Sequence, residues 1–521
     1  AAVTGHRNIA IGPNASDALT TGLNNIAIGQ NALGAATTGC ENVAIGTAAL
    51  GVGVVGGTSS QGIYNIGIGI SAGQALTTGV DNVFIGRAAA DALTTGHNNI
   101  ALGLNALGAS TTGYENIAIG KHALGEADNQ NINSVAIGFY AARISTGAYN
   151  VAIGPSAMYN STSAGNSIAI GRCALGNAST TGNDNIAIGY GAADALTSGH
   201  TNVAIGCNAM TSNQSGIENV AIGLGAMRDT SGSGHYNVAI GKYALGQADT
   251  SGNNNVAIGN AAADEVTTGA CNVAIGTGAL SGATTGCENV AIGTNALGVG
   301  VVGGTSSQGL YNVAIGISAG QSATTAVDNI FIGRAAGDSL TTGATNIAIG
   351  LNALGVQTTD AVCNIAIGDR AMGTCLGAAE DNVVLGRQAG ECITSGKSNV
   401  VLGKCAGAWA TFSGDGNVFL GMNAAYKHTS GGNNIAIGTC AGCGNTTGGD
   451  NISIGCRAGM SNTGTAANIN IGPTADESTG SKGCISVCMY AAGGFHTSDC
   501  RFKCNIADSD LGLSFNKSLK P

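Results

Sequence analysis

A five-residue segment such as Asn25-Ile26-Ala27-Ile28-Gly29 returns 27 times along the chain. Its first position is always Asn, except for two copies in which Ser134 and Ser167 replace it. The second position is always Val or Ile, the fourth is Ile or Leu, and the fifth is Gly. Successive copies start 17 or 18 residues apart, with one interval of 16 and two of 23. A repeat this short cannot enclose a core alone, so the repeats must stack as one array.

Within each repeat, large and small residues alternate with the period of a β-strand, and the Gly that follows predicts a bend. We expect the two branched aliphatic residues to face the interior and the small residue between them to face outward. A pair such as Ala32-Leu33 then forms the second inward face, and a turn such as Thr37-Thr38-Gly39 leads to the next repeat. The prediction is an all-β parallel β-solenoid or β-roll of about 27 coils of 17–18 residues, over residues 1–472.

The Asn column has two readings that can both hold. Stacked coils place equivalent residues about 4.8 Å apart, so the Asn amides can hydrogen-bond along the stack, and Ser can partly replace them. Asn also simply tolerates a turn.

Composition narrows the range of functions. Charged residues make up 9% of the chain, aromatic residues 4%, and the net charge is -10. This acidic balance without basic clusters disfavours nucleic acid as a partner. The sequence has no apolar run long enough to span a membrane. It also lacks the Gly-Gly-x-Gly-x-Asp repeat of calcium-binding solenoids and a phosphate-binding Gly loop, so we expect no cofactor and no metal site. Single His residues, such as His97 and His122, are expected to be solvated.

A few coils carry a bulky residue at the middle strand position, which we expect to face outward. These residues are Phe84, Phe331, Val384, Val401 and Phe419. Bulk on an outward column suggests burial against another molecule, and a second copy of the chain is the simplest candidate.

Two local features could serve binding. The block 51–60 recurs as 298–307 and lengthens its coil, so it should bulge as a loop that is either a tolerated insertion or a binding site. The single tryptophan, Trp409, lies in a turn segment, where it is either packed or a platform on which a sugar ring stacks.

The 16 cysteines leave three interpretations open. Equivalent slots in neighbouring coils bring Cα atoms into disulfide range, which would suit an extracellular or virion surface. Small buried thiols are equally ordinary. The spacings Cys484-x3-Cys488 and Cys500-x3-Cys504 are loosely compatible with zinc, although strand alternation produces them too.

The Asn-Val-Ala-Ile-Gly coils resemble the repeat shafts of phage and large-virus tail fibres, and also the β-roll heads of trimeric autotransporter adhesins. The resemblance covers about nine-tenths of the chain. It implies a homotrimeric rod, possibly a filament, at an extracellular or virion surface. It further implies a structural and adhesive role in host attachment, with a host glycan or receptor as the partner.

The C-terminal end resembles the start of the endosialidase-type intramolecular chaperone auto-processing domain. The matching residues are Ser498-Asp499, Arg501, Lys503, Asn505-Ile506, Leu511-Gly512-Leu513, Leu519 and Pro521. The resemblance implies Ser498 as nucleophile and Lys503 as base for a single self-cleavage of the Thr497–Ser498 bond. Residues 473–497 are then a connector and strand, and 498–521 a truncated start of that domain. The family's domain continues further, so an uncleaved remnant or an ordinary polar strand end is the alternative.

The sequence therefore favours a structural fibre shaft that displays an adhesive surface. A trimeric bacterial adhesin and a self-cleaving fibre precursor are the alternatives. Turnover catalysis has no support from paired carboxylates.

Overall fold

The computed structural model describes residues 4–51, 61–126, 132–229, 234–298, 309–356, 361–374, 377–409 and 411–475, and the backbone of strands 485–491 and 494–497. The chain divides into two compact units, Ala1–Cys271 and Asn272–Pro521. Within the described ranges, regular structure consists of strands and turns without a helix. The predicted all-β parallel β-solenoid is confirmed.

Each repeat contributes one strand of three residues, at the predicted Val/Ile-x-Ile/Leu positions. In the first unit the strands are β1 Ile9–Ile11, β2 Ile26–Ile28, β3 Val43–Ile45, β4 Ile66–Ile68, β5 Val83–Ile85, β6 Ile100–Leu102, β7 Ile117–Ile119, β8 Val135–Ile137, β9 Val151–Ile153, β10 Ile168–Ile170, β11 Ile186–Ile188, β12 Val203–Ile205, β13 Val220–Ile222, β14 Val238–Ile240 and β15 Val256–Ile258. In the second unit they are β16 Val273–Ile275, β17 Val290–Ile292, β18 Val313–Ile315, β19 Ile330–Ile332, β20 Ile347–Ile349, β21 Ile365–Ile367, β22 Val383–Leu385, β23 Val400–Leu402, β24 Val418–Leu420, β25 Ile435–Ile437, β26 Ile452–Ile454, β27 Ile469–Ile471, β28 Ile485–Ala491 and β29 Gly494–Thr497.

Within each unit, consecutive repeat strands pair in parallel and in the same register, so equivalent residues form columns along the stack. Ala27, for example, lies opposite Ala10 on one side and Ala44 on the other. The long interval after β3 does not interrupt this ladder, because Val43 pairs directly with Ile66. Residues 52–60 and 299–308 lie outside the described residues, so the prediction that these blocks bulge as loops stays a prediction. At the C-terminal end, β28 pairs in parallel with β27 and in antiparallel with β29.

The direction in which the strand residues face was predicted wrongly. In β2 the middle residue, Ala27, is fully buried, whereas Ile26 and Ile28 are half-exposed on the outside of the coil. The same pattern holds for almost every repeat strand in both units. The opposite wall of the coil consists of the predicted Ala-Leu pair, and Ala32 and Leu33 are both fully buried. Because the coil is narrow, only a small residue fits opposite Leu, and the branched residues must face outward.

The bulky middle residues are accordingly buried inside their own chain, and the prediction that they face a second copy is wrong. All five, Phe84, Phe331, Val384, Val401 and Phe419, are inaccessible to solvent. A glycine replaces the usual Leu on the opposite wall beside each of them, either in the same coil, as Gly337 does for Phe331, or in the preceding coil, as Gly73 does for Phe84. A Cβ added at Gly73 would lie 2.6 Å from the Phe84 ring, and one at Gly337 would lie 2.4 Å from the Phe331 ring. The core volume is therefore conserved by pairing a large residue with a small one.

The invariant Gly of the repeat is required by its backbone and by its neighbour. Gly206 has a φ of +136°, a region in which only glycine is comfortable. A Cβ there would also lie 2.4 Å from the carbonyl oxygen of Gly223 in the next coil. The predicted bend is thus confirmed, and close stacking of adjacent bends explains why no copy departs from Gly.

The predicted Asn ladder is confirmed as well. Asn202 donates from Nδ2 to Oδ1 of Asn185 at 3.1 Å and to the carbonyl of Gly216 at 2.8 Å. Its own Oδ1 accepts both the backbone N–H and the side-chain amide of Asn219 in the next coil. Ser167 keeps only part of this pattern, since its Oγ accepts the backbone N–H of Asn185 at 3.2 Å. A buried column of satisfied amides fixes the register between coils.

Candidate functional surfaces

The most extensive feature outside the core is an aliphatic face, which we define as the outward Val/Ile and Ile/Leu columns of the repeat strands. Its residues are neither buried nor fully exposed. Ile45, Ile85 and Ile119 are 36%, 39% and 36% exposed, and the preceding Val or Ile of each strand is half-buried. Each unit presents this face over its successive coils. Branched side chains stacked in this way form a continuous apolar surface rather than scattered single residues.

The residues proposed for self-cleavage cannot be placed. Strand β29 ends at Thr497, immediately before the predicted scissile bond. Ser498 and Lys503 lie outside the described residues, so their roles as nucleophile and base stay predictions.

Trp409 lies at the surface. The alternative prediction, that it is packed within its turn, is wrong. Its side chain is 64% exposed. It lies against Tyr426 of the next coil, with ring centroids 5.4 Å apart and planes inclined by 49°. The backbone N–H of Trp409 donates to the carbonyl of Tyr426 at 2.9 Å, which fixes the two residues on neighbouring rungs. The aromatic pair is therefore open on its outer side.

A second surface feature was not predicted from the sequence. Three consecutive coils place aromatic and cationic side chains together in what we call the basic aromatic patch, formed by Lys121, Phe139, Tyr140, Arg143 and Tyr159. The ammonium of Lys121 lies 5.6 Å from the centroid of the Phe139 ring. The guanidinium of Arg143 lies 5.2 Å from the Tyr140 ring and 4.9 Å from the Tyr159 ring. Such stacking holds cations in place over ring faces.

Ring contacts and an ion pair hold the side chains of the basic aromatic patch in place. The Phe139 and Tyr140 rings are 4.0 Å apart, and Tyr140 meets Tyr159 edge-on at 5.7 Å. Arg143 forms an ion pair with Glu126, and this hydrogen bond raises the pKa of Arg143, so the guanidinium stays charged. Phe139 is nevertheless 46% exposed, and Lys121 is exposed. The sequence signal for this patch was the 18-residue offset between Lys121 and Phe139, which places them on adjacent rungs.

Two titratable side chains, Asp264 and His428, are buried within the coils. Asp264 is 7% exposed, and burial raises its pKa to about 6, with nearby Glu265 adding to the effect. Its Oδ2 accepts a hydrogen bond from Nε2 of Gln247 at 2.8 Å. His428 is fully buried against the edges of Phe412 and Phe419. Burial lowers the pKa of His428, so its imidazole is held in the neutral form.

The disulfide interpretation holds at one described cysteine, whereas the free thiols are half-buried or exposed and do not fit the interpretation of small buried thiols. Cys392 is disulfide-bonded. The free thiols include Cys40, Cys173, Cys207, Cys271, Cys363, Cys405, Cys440, Cys443 and Cys456. The side chains of the cysteines from Cys484 onward are outside the described part of the chain, and the loose zinc spacing there is untested. Elsewhere, in the described ranges, no group of three or more potential ligands could hold a metal ion.

Over the same ranges, the structure contains no helix with the length and hydrophobicity of a membrane span. No protein-family model matches the chain, and no curated protein is significantly similar to it. Function must therefore be argued from the surfaces themselves.

Proposed function

We propose that the chain is the structural shaft of a surface fibre, such as a viral tail fibre, and that three copies pack together through their aliphatic faces. The half-exposed Ile and Val columns carry this proposal. A monomer in water would leave an apolar surface on coil after coil, and burial of such surface contributes about 25 cal/mol per Å². A partner with the same repeat spacing matches this face over many coils.

A second copy of the chain meets that requirement best, because only the same repeat keeps the same spacing between columns. The trimeric state rests on the resemblance of the coils to trimeric adhesin heads and to tail-fibre shafts. The low charge and the satisfied Asn ladder suit a rigid structural element. The disulfide at Cys392 suits an extracellular or virion location, since such bonds persist in oxidising surroundings.

Oligomeric mass tests the proposal. Sedimentation velocity and light scattering of the full chain should give three times the chain mass of 50.5 kDa. The double variant Ile85→Glu/Ile119→Glu should shift the protein toward monomer, because charges would be buried in the interface. Thr95→Glu, at an exposed turn residue of the coil that contains Ile85, is the matched control and should leave the mass unchanged.

A wild-type protein that stays monomeric at high concentration would contradict the proposal. A trimer insensitive to the Ile→Glu pair would place the interface elsewhere. Among the alternatives, a bacterial adhesin would share the trimer, so assembly alone does not separate it from a viral fibre. The proposed adhesive role, with a host glycan or receptor as partner, needs a binding surface of its own.

A further inference from the structure

We infer that the basic aromatic patch binds an acidic saccharide, a short oligosaccharide whose pyranose ring carries a carboxylate. This inference deepens the adhesive part of the proposed function and rests on it. Lys121, Phe139, Tyr140, Arg143 and Tyr159 form the site. The argument uses their charge, their exposed rings and the rigidity of the coils beneath them.

Charge selects the ligand class. The chain has a net charge of -10, yet the stretch 129–183 contains neither Asp nor Glu. Lys121 forms no ion pair with any residue that the structure describes. An anion approaching this fibre is therefore repelled by most of its surface and attracted here. A carboxylate at this patch can pair with the ammonium of Lys121, which lies 5.6 Å from the centroid of the Phe139 ring.

The rings favour a saccharide over another anion. A pyranose presents a face of C–H groups that packs on an aromatic ring, and the 46% exposed ring of Phe139 offers such a surface. Around it lie groups that suit sugar hydroxyls. The Tyr159 hydroxyl already accepts a hydrogen bond from Arg143 and can still donate one, and the Glu126 carboxylate can accept one.

The same arrangement disfavours nucleic acid. A nucleic-acid backbone carries closely spaced phosphates that need several cations in a row. Here only Lys121 is unpaired among the described cations of the patch, and the Glu126 carboxylate beside Arg143 would repel a second phosphate. One carboxylate and several hydroxyls match the groups present.

The site is also preorganised. The backbone N–H of Tyr140 donates to the carbonyl of Lys121 at 3.0 Å, and the N–H of Glu126 donates to the carbonyl of Arg143 at the same distance. The side chains thus stand on hydrogen-bonded rungs about 4.8 Å apart. Fixed rungs reduce the entropy lost when a ligand binds.

Saturation-transfer NMR and calorimetry on the full chain would test the inference with two probe pairs. Sialyllactose is compared with neutral lactose, and trigalacturonic acid with its methyl ester, in which each carboxylate becomes an uncharged ester. We expect binding of an acidic member and at least about tenfold weaker binding of its neutral counterpart, the usual cost of losing one charged hydrogen bond.

Matched variants locate the site. Lys121→Ala and Phe139→Ala should each weaken binding about tenfold or more. The controls are Lys242→Ala and Tyr190→Ala, which remove the same kinds of side chain from the same repeat position in other coils, and they should bind as wild type. All four residues are at the surface, and equal melting curves verify that the variants are folded.

Several outcomes would overturn the inference. The inference is wrong if neither acidic probe binds, or if charged and neutral probes bind equally well. It is also wrong if patch and control variants lose the same affinity, or if a single-stranded oligonucleotide binds more tightly than the acidic probes. Failure of the trimer proposal would look different, because sedimentation would then report a monomer whether or not the patch binds sugar.

Discussion

The pairing of Phe331 with glycine on the opposite wall makes a quantitative prediction about the core. The Phe331 ring is fully buried, so Phe331→Ala should destabilise the protein by about 3–5 kcal/mol through lost transfer energy and a cavity. Gly337→Leu alone should cost about 1–3 kcal/mol or more, because its Cβ would lie 2.4 Å from the Phe331 ring. Separately, both changes are harmful.

Combined, they should largely cancel. Phe331→Ala/Gly337→Leu recreates the pair found in the next coil, where Ala348 and Leu354 are both fully buried. Leu354 has a φ of +51°, close to the +59° of Gly337, so this wall position accepts Leu. The space beside Gly320, which the Phe331 ring fills in the wild type, remains empty in the double variant. We therefore expect its free energy of unfolding to fall by only about 1–2 kcal/mol. The coupling between the two changes is then about 2 kcal/mol or more, in the stabilising direction.

Urea denaturation followed by circular dichroism gives the free energies of unfolding of the wild type and of the three variants. Stacked repeats can unfold in blocks, so amide exchange of the β18–β20 strands should be measured in parallel. The reversed swap, Ala348→Phe/Leu354→Gly, serves as the control and should show coupling of the same sign. A double variant as unstable as the sum of its single changes would refute the volume argument.

Four further predictions concern the ladder, the bend, the core charge and the C-terminus. Asn202→Ala should lower the free energy of unfolding, measured by urea denaturation, by about 2–4 kcal/mol, since it leaves the Asn219 N–H and the Gly216 carbonyl unpaired. Asn202→Ser should restore part of this stability. Gly206→Ala should cost about 3 kcal/mol or more, and unchanged stability would contradict the assigned φ of +136°. Asp264→Asn should stabilise the protein by about 2–3 kcal/mol at pH 8. The folded state raises the pKa of this carboxyl from 3.8 to about 6, so its ionisation lowers the free energy of unfolding, and the full loss is reached above pH 6. That advantage should shrink as pH falls through 6 and vanish below 3.8, and a pH-independent difference would argue against a buried carboxylate. Finally, mass spectrometry of a chain that extends beyond Ser498 should find an end at Thr497 if self-cleavage occurs, and Ser498→Ala should abolish it; an uncut wild-type chain opposes the prediction.

Much of the coil could be predicted because its constraints are local. The invariant Gly, the Asn column and the Ala-Leu wall each leave a signature within one repeat, and all three have the predicted roles. Alternation with period two indicates that a strand has two different faces, but it does not tell which face is inside. Apolar character alone predicts that Ile26 and Ile28 face the interior. The width of the coil, set by Leu33 on the opposite wall, decides otherwise.

The surface features were harder to predict, since they depend on neighbouring coils. The glycine at 337 was visible in the sequence, but its meaning requires knowing that it faces Phe331. Similarly, Lys121 and Phe139 are unremarkable in their own repeats and become a site only when the coils are stacked. The candidate site at Ser498 was suggested by resemblance alone.

The Asn column also has a direction. Within each unit, the amide of one coil donates toward the preceding coil and the carbonyl oxygen accepts from the following one, as Asn42 does between Asn25 and Asn65. Each coil that carries Asn thus presents the same acceptor to the following coil and the same donor to the preceding one. Deleting or copying whole coils leaves the same joint behind. Evolution can therefore alter the number of coils without redesigning a junction, and the near-copy of the segment around 40–60 at 287–307 is what such lengthening would leave in the sequence.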